Sequence, residues 1–170
     1  MKSKVLLLVI LPIVFLINSC GIYSFTGGSI SAGMKTVSVS LFENVSPLVV
    51  PSLSQNFTEA LKERIRTQTS LSFLRTDGDA HFEGKITGYS VQPVSIQGGN
   101  MPTAAQNRLS ITVQVKYVNS IEADKSFDQS FTRYQDFSAT TPFASIEQNL
   151  IKDISQQLTE DIYNRAFANW

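Results

Sequence analysis

The sequence predicts an α+β domain, a two-layer sandwich in which a mostly antiparallel four- to five-stranded sheet carries two helices on one face, in the order β-α-β-β-β-β-α. Three observations carry this reading. Leu109, Ile111, Val113, Val115 and Tyr117 alternate with Ser110, Thr112, Gln114 and Lys116, the period of a half-buried strand. Leu53, Phe57, Ala60, Leu61 and Ile65 recur at helical spacing, as do Leu150, Ile151, Ile154, Leu158, Ile162 and Ala166 further on. The strand-like stretches between the two helical ones follow one another through short turns, which favours antiparallel pairing.

The chain begins with a segment that is not part of the domain. Lys2 and Lys4 precede an apolar run from Val5 to Ile17, then Asn18, Ser19 and Cys20. A run this short does not comfortably span a hydrocarbon layer about 30 Å thick. Basic start, short apolar core, small residues and a cysteine form the pattern of a lipoprotein signal peptide, residues 1–19. Asn18 stands where such signals usually carry a small residue. Cys20 is the only cysteine. Exported proteins that use thiols for stability carry them in pairs, so a lone thiol here reads as an acylation site. Two or more acyl chains on one residue anchor lastingly, where one binds marginally. The alternative is an ordinary secretory signal with an incidental cysteine.

Removal of 19 residues leaves 151, one domain's worth and enough for a core without disulfides. With Lys2 and Lys4 gone, 12 basic residues face 14 acidic ones. That balance gives no footprint for nucleic acid and no polybasic patch for anionic lipid. Residues 20–34 are uncharged and rich in Gly and Ser. They read as a lipidated arm, with Ile22, Tyr23 and Phe25 as candidate docking side chains, ahead of a single domain over 35–170.

Within the domain, Thr36 to Phe42 alternates, with Val37, Val39 and Leu41 on one face. Pro47 and Pro51 end that stretch. Ser52 and Gln55 have the spacing of a capping box for the first helix, ending near Thr67. Leu71 to Arg75 is a short strand, and Asp77-Gly78 a turn. His81 to Val91 is the next strand, with Phe82, Gly84, Ile86 and Gly88 on one face; the glycines leave room for something bulky. The pattern slips at Tyr89 and Val91, which suggests a bulge after Gly88. Gln92 to Asn107 is a long irregular segment with Pro93, Gly98, Gly99 and Pro102. The strand Leu109–Tyr117, a turn over Asn119–Asp124 and a partner strand Ser126–Phe137 follow. Ser145 and Gln148 repeat the capping-box spacing before the second helix, which runs to about Phe167.

Catalytic signals are sparse. His81 is the only histidine, near Asp79 and Glu83, and no serine lies in a Gly-x-Ser-x-Gly setting. Asp77-Gly78-Asp79 lacks the twelve-residue calcium-loop spacing. No Cys/His cluster suits zinc, so neither a metal site nor a cofactor is expected beyond the covalent lipid on Cys20.

Several stretches together resemble a family. Cys20-Gly21-Ile22-Tyr23-Ser24-Phe25-Thr26-Gly27-Gly28-Ser29 is similar to the mature start of Bacteroidota-type LptE proteins. The segment 82–89, the strands Leu109–Tyr117 and Phe127–Phe137, and the ending Phe167-Ala168-Asn169-Trp170 are similar as well. The resemblance implies a non-catalytic outer-membrane lipoprotein that plugs the large β-barrel LptD, assists its assembly and contacts lipopolysaccharide in transit. It places the protein on the periplasmic side and in the barrel lumen, tethered to the membrane by its lipid. It also implies the sheet with two helices on one side. In better-known members, basic residues near one end of the sheet are linked to lipopolysaccharide. Here Gln92–Asn107 holds no Lys or Arg, and Arg108 alone borders it. No lipopolysaccharide-binding residue is therefore carried over from the family; the length, low charge and position of this segment beside the longest strand make Gln97, Asn100 and Arg108 the expected contacts with barrel or glycolipid. The competing expectation is a structural or adaptor lipoprotein of another envelope complex; a periplasmic hydrolase lacks the side-chain constellation.

Overall fold

The computed structural model describes residues 30–48, 50–94 and 106–168. Cys20, Gln97 and Asn100 lie outside them, as do the signal segment and most of the arm. The elements run β1 (Thr36–Val39), β2 (Glu43–Asn44), α1 (Leu53–Gln68), β3 (Ser72–Leu74), β4 (Ala80–Val94), β5 (Gln106–Asn119), β6 (Phe127–Ser138) and α2 (Phe143–Phe167). A short 3-10 turn over Ala123–Lys125 lies between β5 and β6. The order of elements is the expected α+β one, with one strand more, because the first stretch divides into β1 and β2.

The sheet is mixed, not mostly antiparallel. Its order is β3-β1-β4-β5-β6, with β2 also on β4. β4, β5 and β6 are antiparallel, whereas β1 is parallel to both β3 and β4, and β2 is parallel to β4. The reason is the helix between β1 and β3: a strand, a crossover helix and a neighbouring strand pair in parallel. Asp77-Gly78 therefore joins no hairpin. It carries the chain from β3 past the intervening β1 to β4. Asp77 has φ 56° there. A Cβ on Gly78 would lie 2.6 Å from the backbone of both Val37 and Ser38, so only glycine passes this closely under β1.

The expected alternation holds through Val39 and then breaks. Leu41 is exposed, and Phe42 takes the buried place. Three contacts explain the switch. Phe42 N–H donates to Thr58 Oγ1 at 3.0 Å, its carbonyl accepts from the Ser54 hydroxyl, and its ring packs edge-on to Phe57 at 5.1 Å. The ring also lies over Gly84, where a Cβ would stand 2.6 Å from Phe42 Cε1. The room left by Gly84 is thus filled as expected. Gly88 is different. The bulge lies between Ile86 and Gly88, which moves Gly88 to the opposite face against Thr112 and returns Tyr89 to the inside.

Neither capping box forms. Ser52 is itself in the α-region and makes no side-chain cap, and α2 starts three residues early, after Pro142. The Ser145 hydroxyl instead donates to the Pro142 carbonyl at 2.7 Å. The hairpin strands are longer than expected: Gln92–Val94 and Gln106–Asn107 are paired strand, so the connection is shorter than 92–107.

The inward strand residues Val37, Phe82, Ile86, Leu109, Ile111, Val113, Val115 and Tyr117 form one buried cluster with Leu53, Phe57, Leu61 and Ile65 of α1 and Ile151, Ile154, Leu158 and Ile162 of α2. Each such fully buried side chain contributes about 1.5–3 kcal/mol. An aromatic knot of Phe82, Tyr117 and Phe167, with ring centroids 4.7–5.9 Å apart, ties the end of α2 to the sheet. Among the described residues no helix is long and apolar enough to cross a membrane.

Candidate functional site

The face of β4, β5 and β6 that points away from this core is built by strand alternation alone. The register sets it out in rungs: Glu83–Lys116–Asp128, Lys85–Gln114–Ser130, Gly88–Thr112–Thr132, Ser90–Ser110–Tyr134 and Gln92–Arg108–Asp136. The middle rungs carry hydroxyls, an amide, a glycine, the Tyr134 ring and one cation, Lys85. Thr112 and Thr132 hydrogen-bond across the strands at 2.9 Å, and Gln114 bonds to both Ser130 and Asp128. From Lys116 to Arg108 the band is about 27 Å long at strand rise.

An ion pair closes each end of the band. Arg108 Nε and Nη2 donate to the two Asp136 carboxylate oxygens at 2.7 and 2.8 Å. The guanidinium also lies 3.7 Å from the centroid of the Tyr134 ring. This bidentate pair holds the Asp136 carboxyl below its ordinary range and raises Arg108. At the other end Lys116 Nζ bonds Glu83 Oε1 at 2.7 Å, which lowers Glu83 and raises Lys116. Beside that rung lies a shallow depression of about 410 Å³ between Leu41, Glu43, Lys85 and Asp128. Arg108, expected to border the long connection, lies within β5 and is paired with Asp136. Sequence reading missed its partners. Asp136 is 28 residues away, and only the β5–β6 register brings the two together.

His81 is not at the sheet's edge: β4 lies between β1 and β5. Its Nδ1 is 2.7 Å from Ser38 Oγ, and its Nε2 is 3.8 Å from Glu83 Oε2. The order Ser-His-Glu is suggestive, but Ser38 has no exposed surface and its oxygen also accepts the Gly78 N–H at 3.1 Å. The hydroxyl is a structural link under β1, out of reach of any substrate. Among the described residues no group of three His, Cys, Asp or Glu side chains is placed to hold a metal.

The hairpin end of the sheet is braced from the inside too. Tyr89 donates to Glu147 Oε1 near the start of α2 at 2.6 Å, and burial with this carboxylate contact pushes the phenol well above its usual range. Gln97 and Asn100 belong to the connection at this end and lie outside the described residues.

No curated protein sequence matches the chain. Solved structures match its fold at low identity. The hypothetical protein CT253 from Chlamydia trachomatis is 12% identical, with a TM-score of 0.53, over 77% of this chain and 94% of that one. A putative neuraminyllactose-binding hemagglutinin homolog from Helicobacter pylori is 10% identical, with a TM-score of 0.51, over 83% and 87%. Rare lipoprotein B from Shewanella oneidensis is 14% identical, with a TM-score of 0.46, over 75% and 91%. The family model for LptE, lipopolysaccharide-assembly, matches residues 34–166, which takes in every element from β1 to the last turn of α2. The chain belongs to the LptE family of lipopolysaccharide-assembly lipoproteins, a non-catalytic family.

Proposed function

We propose that this protein is the lipid-anchored accessory subunit of an outer-membrane lipopolysaccharide translocon, in which it plugs an LptD-type β-barrel and assists its assembly. The family match over 34–166 carries the proposal. In this reading residues 1–19 are removed, Cys20 carries the lipid, and the domain sits on the periplasmic side of the outer membrane with its hairpin end in the lumen. The two helices cover one face of the sheet, which leaves the hydroxyl and amide band free for a partner. The connection holding Gln97 and Asn100 lies near the glycolipid path. Arg108 acts differently from a free phosphate-binding cation. Its donors are committed to Asp136, so it shapes the hairpin end and presents Tyr134, half exposed, beside it.

Affinity purification from detergent-solubilised outer membrane tests the partner. A large barrel identified by mass supports the reading, and a different envelope complex in its place supports the adaptor alternative. Photo-crosslinking residues at Gln97 and Asn100, with Glu63 on α1 as comparison, test the placement. Capture of the barrel at the hairpin positions is expected. Capture at other surface positions and none at these two would put the connection in solvent.

A further inference from the structure

The sheet has unequal edges. β3 offers three residues and β2 two, whereas β6 offers twelve, and no described strand pairs with its outer side. About half of the β6 N–H and C=O groups therefore point away from β5. Such an edge is a template for one more strand unless something covers it. Arg133, the inward-facing charge that would discourage pairing, is already committed to Asp161 through two 2.6 Å bonds.

The path of the N-terminal chain leads to this edge. Lys35 and Thr36 donate their N–H groups to Asp79 Oδ2, just ahead of β4, at 2.8 and 2.9 Å. Ser31, further upstream, is fixed at the end of β5: its hydroxyl donates to Glu122 Oε2 at 2.5 Å and accepts from Asn119 Nδ2 at 3.1 Å. Followed backwards, the chain thus crosses the end of the sheet from β1 past β4 to β5, and the next strand is β6. Strands lie about 4.8 Å apart, so the place beyond β6 is about 10 Å from β5. Residues 26–29 can span about 13 Å, and Gly27 and Gly28 let them turn.

We propose that residues 22–26 of the arm, Ile22-Tyr23-Ser24-Phe25-Thr26, add to the β6 edge as an antiparallel strand. The segment is uncharged and rich in β-formers. In an extended chain Tyr23 and Phe25 share one face, which matches Phe127 and Phe131 on the inward side of β6. Ile22, Ser24 and Thr26 share the other, which matches Ser130 and Thr132. A second copy fits this edge poorly. Two-fold pairing about Thr132 would bring Asp128 opposite Asp136. The inference needs no barrel partner and is independent of the translocon reading.

Amide exchange tests it on the mature acylated chain in detergent micelles without any barrel protein. The comparison is with the variant Tyr23→Pro/Ser24→Pro, which removes N–H groups of both phases of the added strand. The outward amides of residues 127–138 are expected to exchange at least about tenfold faster in the variant, while β5 amides stay unchanged. Equal, fast exchange in both chains overturns the proposal. So does protection that vanishes on dilution, which would mean a second copy, or protection that appears only on adding the barrel.

Discussion

Thr58→Val isolates the contact that diverts the chain at Phe42. Thr58 is 2% exposed, and Val has nearly its shape. The hydroxyl accepts Phe42 N–H at 3.0 Å and donates to the Ser54 carbonyl at 2.8 Å. Valine keeps the packing but leaves the Phe42 N–H buried without an acceptor, which costs about 1–3 kcal/mol. The Ser54 carbonyl loses little, since the helix ladder still supplies the residue 58 N–H. At about 2–4 °C per kcal/mol for a domain of this size, the melting temperature falls by about 2–12 °C. Thr58→Ser keeps the hydroxyl and drops one methyl, worth about 0.8 kcal/mol. Thermal unfolding followed by far-UV circular dichroism reads both variants. If Thr58→Val melts within about 1 °C of the parent, or Thr58→Ser falls as far as Thr58→Val, the hydrogen bond is not what holds Phe42 inside.

Gly84→Ala places a Cβ 2.1 Å from the Gln114 carbonyl oxygen as well as 2.6 Å from Phe42, and urea denaturation should show a loss of about 1–3 kcal/mol or more. Adding Phe42→Ala should not restore it, because the closer obstacle is backbone; full rescue would show that the ring alone sets the limit. Asp136 has a lowered pKa in the fold, so it contributes stability above its unfolded pKa near about 3.9 and loses it as the pH falls through the lower folded value. Acid titration of Asp136→Asn should therefore give a shallower loss of stability below about pH 4 than the parent, and an unchanged slope would contradict the pairing with Arg108. Cys20→Ala should release the protein from membranes in cells lacking the barrel; retention after a high-salt wash would refute the lipid anchor.

Periodicity made the faces of the strands legible but not their neighbours. Every inward position from Leu109 to Tyr117 is buried. The same reasoning put Leu41 inside, because alternation cannot register the Thr58 hydroxyl that draws Phe42 in instead. It also put Gly88 on the core face, because the slip in pattern shows only at Tyr89, whereas the register shifts between Ile86 and Gly88 and inverts the side of Gly88 and every residue after it. Parallel pairing of β1 was hidden because a strand reads the same whichever way its partner runs. The caps failed for a local reason: Ser52 already has helical φ and ψ, so its hydroxyl is not aimed at the first free N–H groups.

The outward face argues the same point for the candidate site. Arg108 was legible as the lone cation beside a long connection, and that position suggested a contact with barrel or glycolipid. Geometry assigns the guanidinium to Asp136 and Tyr134, and Lys116 to Glu83. An unpaired cation covered by a partner protein would forfeit its hydration, and no compensating charge would be assured. A cation that carries its own carboxylate into the contact brings part of that compensation along. The neutral rungs between the pairs, Gly88–Thr112–Thr132 and Ser90–Ser110–Tyr134, then offer hydrogen bonds that salt does not screen. Among the described residues, Lys85 is the one cation of the band outside an ion pair, so on the proposed reading the face meets a polar protein wall mainly through its neutral rungs and its two ion pairs.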